Sequence, residues 1–101
     1  MIGVSSGTAH GMLSSRETIE NHLTPDNKPI LYTEILSPDL TQYFDRISGI
    51  VSYNGGLLSH LAIMARENRI PIVVGFSIAK SGIRTGDMVQ IDGSKGIIVK
   101  I

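Results

Sequence analysis

The sequence predicts an α/β domain built on a mixed sheet, with a parallel βαβ core, antiparallel ends and flanking helices. Three observations lead there. Short apolar runs bounded by turn formers recur at residues 29–33, 49–53 and 71–75, as buried strands require. The segment between the last two holds Ala62, Ala65, Arg66 and Glu67, which favour helix over strand. The closing residues 86–101 read as strand, tight turn and strand, a hairpin.

Size and composition narrow the class. A chain of 101 residues with 42% hydrophobic residues suits one ordinary folded domain, taken here as residues 1–101. The formal charge is zero and no lysine or arginine run occurs, which argues against nucleic acid or an acidic membrane as main partner. There are no cysteines, so disulfide, zinc-thiolate and thiol chemistry are excluded. No stretch approaches the roughly 20 apolar residues that cross a bilayer, and the start MIGVSSGTAHG lacks the charged and apolar regions of a secretory signal. A cytoplasmic location is the expectation. The chain stops as its last strand stops, which is expected of one domain cut from a longer protein or equivalent to one domain of it.

The elements follow in order. The Gly- and Ser-rich opening, GVSSGTAHGMLSSR, reads as a turn between two short strands, with Gly3 and Gly7 suited to the turn or to a hinge. Residues 17–28 are polar, with Thr24-Pro25-Asp26-Asn27 as a turn. A buried strand follows at 29–33. Ser37-Pro38-Asp39-Leu40 opens a helix, with Ser37 as cap and Pro38 in the first turn. Leu40, Tyr43, Phe44 and Ile47 then share its buried face, and Ser48-Gly49 ends it. Strand 49–53, the Ala-containing helix and strand 71–75 make the βαβ unit, because short joints on either side of a helix connect parallel strands. Gly86-Asp87 turns the chain into strand 88–91, and Asp92-Gly93 turns it into strand 96–101. Met64 and Met88 stand in apolar contexts and are expected in the core.

The chemistry concentrates in GGLLSHLAIMAREN, residues 55–68. Asn54-Gly55 also suits a type I′ hairpin turn, which would make 57–64 a returning strand with His60 half-buried in it. The absence of two-residue alternation favours the helix. Its first turn then falls near Ser59 and His60. The first N–H groups of a helix lack internal partners, and the dipole adds roughly half a positive charge there. Such an end attracts anions, phosphate included, and disfavours a cation. A neutral imidazole at that place is a nucleophile, and the same helix end stabilises the negative product once the ring takes up a phosphoryl group. Gly55 and Gly56 leave room for a bulky donor. Ser59 caps the helix or bonds the phosphoryl group, and capping is the simpler role. The plain alternative is a helix-capping histidine in a structural βαβ domain.

The longer stretch GGLLSHLAIMARENRIPIVVG resembles the signature of the phosphoenolpyruvate (PEP)-utilising enzymes in their mobile phosphohistidine domain, as in PEP synthase, pyruvate phosphate dikinase, sugar-phosphotransferase Enzyme I and rifampin phosphotransferase. Gly55, Gly56, Ser59, His60, Ala62, Ile63, Ala65, Arg66, Glu67, Ile70, Pro71, Val73 and Gly75 match. Ser5-Ser6-Gly7 with Ala9 and Gly11 resembles the family opening Ser-Pro-Gly-x-Ala-x-Gly, with Ser6 in place of its proline. Residues 29–39 resemble its strand followed by a Thr/Ser-Pro-acid helix start. Gly86-Asp87-Met88-Val89 and Asp92-Gly93-x-x-Gly96 resemble its closing motifs.

The resemblance implies a swivelling β/β/α domain whose histidine, His60 here, carries phosphate between distant sites. It implies no cofactor bound by this domain, with Mg and PEP or ATP on partner domains: a PEP-binding barrel, and a nucleotide-binding or carrier-protein domain. Two departures stand out. The family's usual Thr two residues before the histidine is Leu58, which lacks the hydroxyl that a regulatory protein modifies in dikinases and synthases. Leu-Ser-His is similar to the variant in rifampin phosphotransferase-like enzymes. The family's Gly before Ile-Pro is Arg69, which alters that helix end. Arg66, nearly two turns past His60, suits a structural ion pair. His10 and His22 show no metal-ligand spacing with His60 and are expected at the surface. A non-catalytic interaction module that keeps the fold is the rival reading of function.

Overall fold

A computed structural model describes residues 2–16, 19, 28–55 and 58–101, the side chains of 2–5, 38, 58 and 59 excepted. The strands are β1 (Ile2–Ser5), β2 (Thr8–Ser15), β3 (Ile30–Ile35), β4 (Gly49–Asn54), β5 (Ile72–Val74), β6 (Met88–Asp92) and β7 (Ile97–Lys100). Helix α1 is Leu58–Glu67 and helix α2 is Ile78–Ser81. The strands form one mixed sheet in the order β1-β5-β4-β3-β2-β6-β7. Strands β5, β4, β3 and β2 run parallel to one another, while β1, β6 and β7 join antiparallel at the ends. The parallel core and antiparallel ends are those the sequence predicts, and β4-α1-β5 is its βαβ unit.

The central strands are buried on both faces, and successive residues enter opposite cores, as the two-residue period of a strand dictates. Leu31, Ile50 and Ile72 join Leu61 and Ala65 of α1 in one cluster. Their chain neighbours Ile30, Val51 and Val73 join Leu13, Phe76, Val89, Ile91 and Ile98 in the other. Sheet and helix cover one face. The curled β2-β6-β7 end and the segment after β5 cover the opposite face, where Tyr32 and Phe76 meet edge to face with ring centroids 6.0 Å apart. Each fully buried Leu or Ile in these layers stabilises the fold by about 1.5–3 kcal/mol.

Several local expectations change. The helix opened by Ser37 is a 3₁₀ segment, Pro38–Tyr43, bonded from Leu40 to Ser37 and from Phe44 to Thr41 rather than four residues back. Its apolar residues Leu40, Phe44 and Ile47 are buried all the same, because spacings of three and four serve both helix types. Ser37 does not cap its backbone; the hydroxyl donates to the Asp39 carboxylate instead. Met88 is 44% exposed, since the inward phase of β6 belongs to Val89 and Ile91. Gly3 lies within β1, beside a register shift, and only Gly7 takes the turn, with φ of 116°. Helix α2 was not expected: four residues carry no readable period, and only Gly82, left-handed at φ 77°, marks its end. The Asp92-Gly93 turn is a wider loop in which the Asp92 carboxylate accepts the N–H groups of Ser94 and Lys95. The turn at residues 24–27 and His22 lie outside the described residues.

Candidate functional site

Strand β4 delivers the chain to one edge of the sheet, and α1 starts there. Ser52, buried at the end of β4, donates its hydroxyl to the Asn54 carbonyl at 2.5 Å. Thr33, its register partner on β3, donates to the Ile35 carbonyl at 3.0 Å. These bonds shape the strand ends from which the next segments leave. Gly55 follows, half-buried. Gly56 lies outside the described residues, as does the side chain of Ser59.

His60 falls in the first turn of α1 and is exposed. Leu58, Ser59 and His60 present backbone N–H groups that no earlier helical carbonyl receives. The next residue, Leu61, is fully buried and anchors this turn in the core. Thus a fixed helix end holds an accessible imidazole, with Ile63, 58% exposed, one turn behind it. The helix excludes the strand alternative over residues 58–64; residue 57 lies outside the described residues. Arg66 is exposed in the last turn of α1, where a cation suits the negative end of the dipole. His10 is exposed, on β2, as expected. Among the described residues no cluster of His, Cys, Asp or Glu is placed to hold a metal ion.

A second polar group stands at the same edge. Arg16, just past β2, pairs with Asp39 and reaches Ser37 at 3.4 Å. The Ser37 hydroxyl and then the Arg16 guanidinium hold the Asp39 carboxyl below the usual carboxylate range. Sequence reasoning missed this cluster because 23 residues separate Arg16 from Asp39. Only the parallel pairing of β2 with β3, in which Ser15 lies opposite Tyr32, brings them together. A cleft of about 290 Å³ opens beside it, lined by Ser15, Arg16, Tyr32, Thr33, Glu34 and Ile35. His60 is not among these lining residues.

A mixed sheet with a βαβ unit whose helix start carries an exposed histidine is the frame in which the chain is compared with known proteins. Residues 25–96 match the family described as PEP-utilising enzyme, mobile domain. The chain belongs to that family. It is 36% identical over 98 residues to the phosphoenolpyruvate synthase of Aeropyrum pernix, covering 96% of this chain and 12% of that one. It is 34% identical over 100 residues to a chondramide synthase of Chondromyces crocatus, covering 97% of this chain and 3% of the relative. A solution structure of Enzyme I superposes with a TM-score of 0.60 at 35% identity, over 72% of this chain and 30% of the other. The chain therefore spans a small fraction of the relatives it matches.

Proposed function

We propose that the chain is a phosphohistidine carrier, in which His60 accepts a phosphoryl group and hands it on between partner active sites of a PEP- or ATP-dependent phosphotransferase. One observation carries the reading: the accessible imidazole of His60 in the first turn of α1, at the edge where β4 ends. The lone pair of one ring nitrogen attacks the donor phosphorus. A nitrogen–phosphorus bond forms, the bond from phosphorus to the donor oxygen breaks, and its electron pair leaves with that oxygen. The free N–H groups of the helix start and its dipole face the new negative charge. The reverse step passes the group to an acceptor oxygen or nitrogen.

An exposed carrier suits this task better than an enclosed site, because the imidazole must enter pockets on other domains. Mg and PEP or ATP belong on those domains, a barrel and a nucleotide-binding or carrier-protein domain. The chain alone takes up and releases phosphate but does not complete a turnover. Gly55, Gly56 and Ser59 support the site by spacing and by hydrogen bonding, and Leu58 removes the hydroxyl on which a regulatory modification would act.

The test is phosphoryl transfer to the chain from labelled PEP or ATP in the presence of the catalytic domains, with His60→Ala beside the wild type. Acid-labile, alkali-stable label on the wild type and none on His60→Ala is the expected outcome. Label that survives the substitution removes His60 from the mechanism, and no label from either donor favours an interaction module.

A further inference from the structure

The amino ends of the four parallel strands lie at the edge of the sheet opposite the start of α1. There β2 begins at Thr8, and the chain enters β3 from Lys28, β4 from Ser48 and β5 from Pro71. Ser48 joins the first three: its hydroxyl stands 2.5 Å from the Lys28 carbonyl oxygen and 3.4 Å from that of His10. A Cβ on Gly49 would stand 3.3 Å from the Pro71 carbonyl oxygen, so the fourth entry is as close. A cavity of about 520 Å³ opens along this edge, within the range of small-ligand sites.

The exposed residues His10, Lys28 and Arg69 all line it. Lys28 and Arg69 are cations at neutral pH, and His10 adds a ring N–H donor. No carboxylate pairs with any of the three among the described residues. The acidic residue of the described lining is Asp45, 85% exposed, with the Arg46 guanidinium 3.9 Å from it. The nearby carbonyls of α1 are already taken: that of Met64 by the backbone and side chain of Asn68, that of Ala65 by the Ile70 N–H. Two like charges on one cavity repel each other, and an anion between them relieves that repulsion. Arg69 adds a second observation. Its φ of 58° lies in the left-handed region, where glycine would sit without strain. Strain of this kind persists where a side chain serves a site.

We propose that this cavity binds a small, multiply charged anion, a phosphate ester or a polycarboxylate, through Arg69, Lys28 and His10. The planar guanidinium takes two oxygens at once, and the ammonium group serves as a point charge for another. The site is separate from His60. Helix α1 is ten residues, about 15 Å, long, with His60 in its first turn and Arg69 just beyond its end. The binding site therefore stands or falls independently of the carrier reading.

The test is an amide NMR titration of the chain at low ionic strength, with pyrophosphate and, separately, with citrate. Saturable shifts confined to the amides of residues 8–10, 28, 45–48 and 68–70 are expected from at least one of them. The tighter of the two distinguishes phosphate from carboxylate as the preferred group. Arg69→Gly and Lys28→Gln each weaken binding about three- to tenfold, the size of one charge contact in partly exposed surroundings. Added salt weakens it further. Lys80→Gln, on α2 and outside the described lining, leaves the affinity unchanged. Arg69→Gly relieves the backbone at that position, so its loss of binding is not a loss of fold. No saturation by either anion, shifts spread over the whole surface, or wild-type affinity in both Arg69→Gly and Lys28→Gln overturns the inference and leaves the carrier reading of His60 untouched.

Discussion

At the scale of single residues, two positions show how motif letters turn into physical demands. His60 was legible because its neighbours are ordered: glycines before it, a helix with Ala62 and Ala65 after it. Gly11 was legible only as a letter of the opening motif, and the fold supplies the reason. A Cβ on Gly11 would stand 2.6 Å from the backbone oxygen of Lys28 and 3.4 Å from the Ser48 hydroxyl. Ser48 in turn bonds the Lys28 carbonyl at 2.5 Å, so β2 crosses close to the entry into β3 and nothing flexible is there to yield. Gly11→Ala is expected to destabilise the fold by about 1–3 kcal/mol, the range for overpacking. The check is a shift in urea midpoint; an unchanged midpoint would mean that the two backbones separate freely. Arg16 was not legible, because its significance comes from pairing across strands and from no local pattern.

At the scale of elements, strands were read more faithfully than helices. Each buried strand combines a short apolar run with turn formers on both sides, and the parallel sheet buries both faces, so a continuous run suffices as a signal. The 3₁₀ segment and α2 are too short for their period to separate one helix type from another. The end of α1 carries its own lesson. Arg69 adopts φ of 58°, in the left-handed region, at the position where the resembling family has glycine. The Ile70 N–H reaches back to the Ala65 carbonyl at 2.8 Å, closing the helix as a left-handed cap does. A side chain in that region costs about 1–2 kcal/mol, partly offset by the greater freedom glycine has in the unfolded chain. Arg69→Gly should therefore raise stability by about 0.5–1 kcal/mol, read from chemical denaturation with an unchanged m-value. A loss of stability would show that the Arg69 side chain makes contacts outweighing the backbone strain.

At the scale of the whole molecule, charge is sparse and balanced, and two carboxylates tie distant segments together. Asp39 links the 3₁₀ segment to Arg16 after β2. Asp87 accepts the Arg84 N–H at 3.0 Å and lies 3.5 Å from Lys100 on β7, and these partners hold it below the usual carboxylate range. Both groups have folded-state pKa values lowered from the ordinary one. Their contribution is thus fully present above the unfolded value, near 3.9, and is lost as pH falls through the lower folded values. Stability should be level down to about pH 5 and fall below about pH 4, and Asp39→Asn with Asp87→Asn should flatten that fall in urea titrations. A rise in stability on acidification through this window would contradict the assignment. The proposed carrier role rests on the exposed imidazole of His60 in the first turn of α1. The chain has three histidines, so the most direct measurement is to locate the phosphoryl group after transfer, by fragmentation mass spectrometry of peptides from the labelled chain. The account predicts that it sits on His60; finding it on His10 or His22 instead would contradict the account.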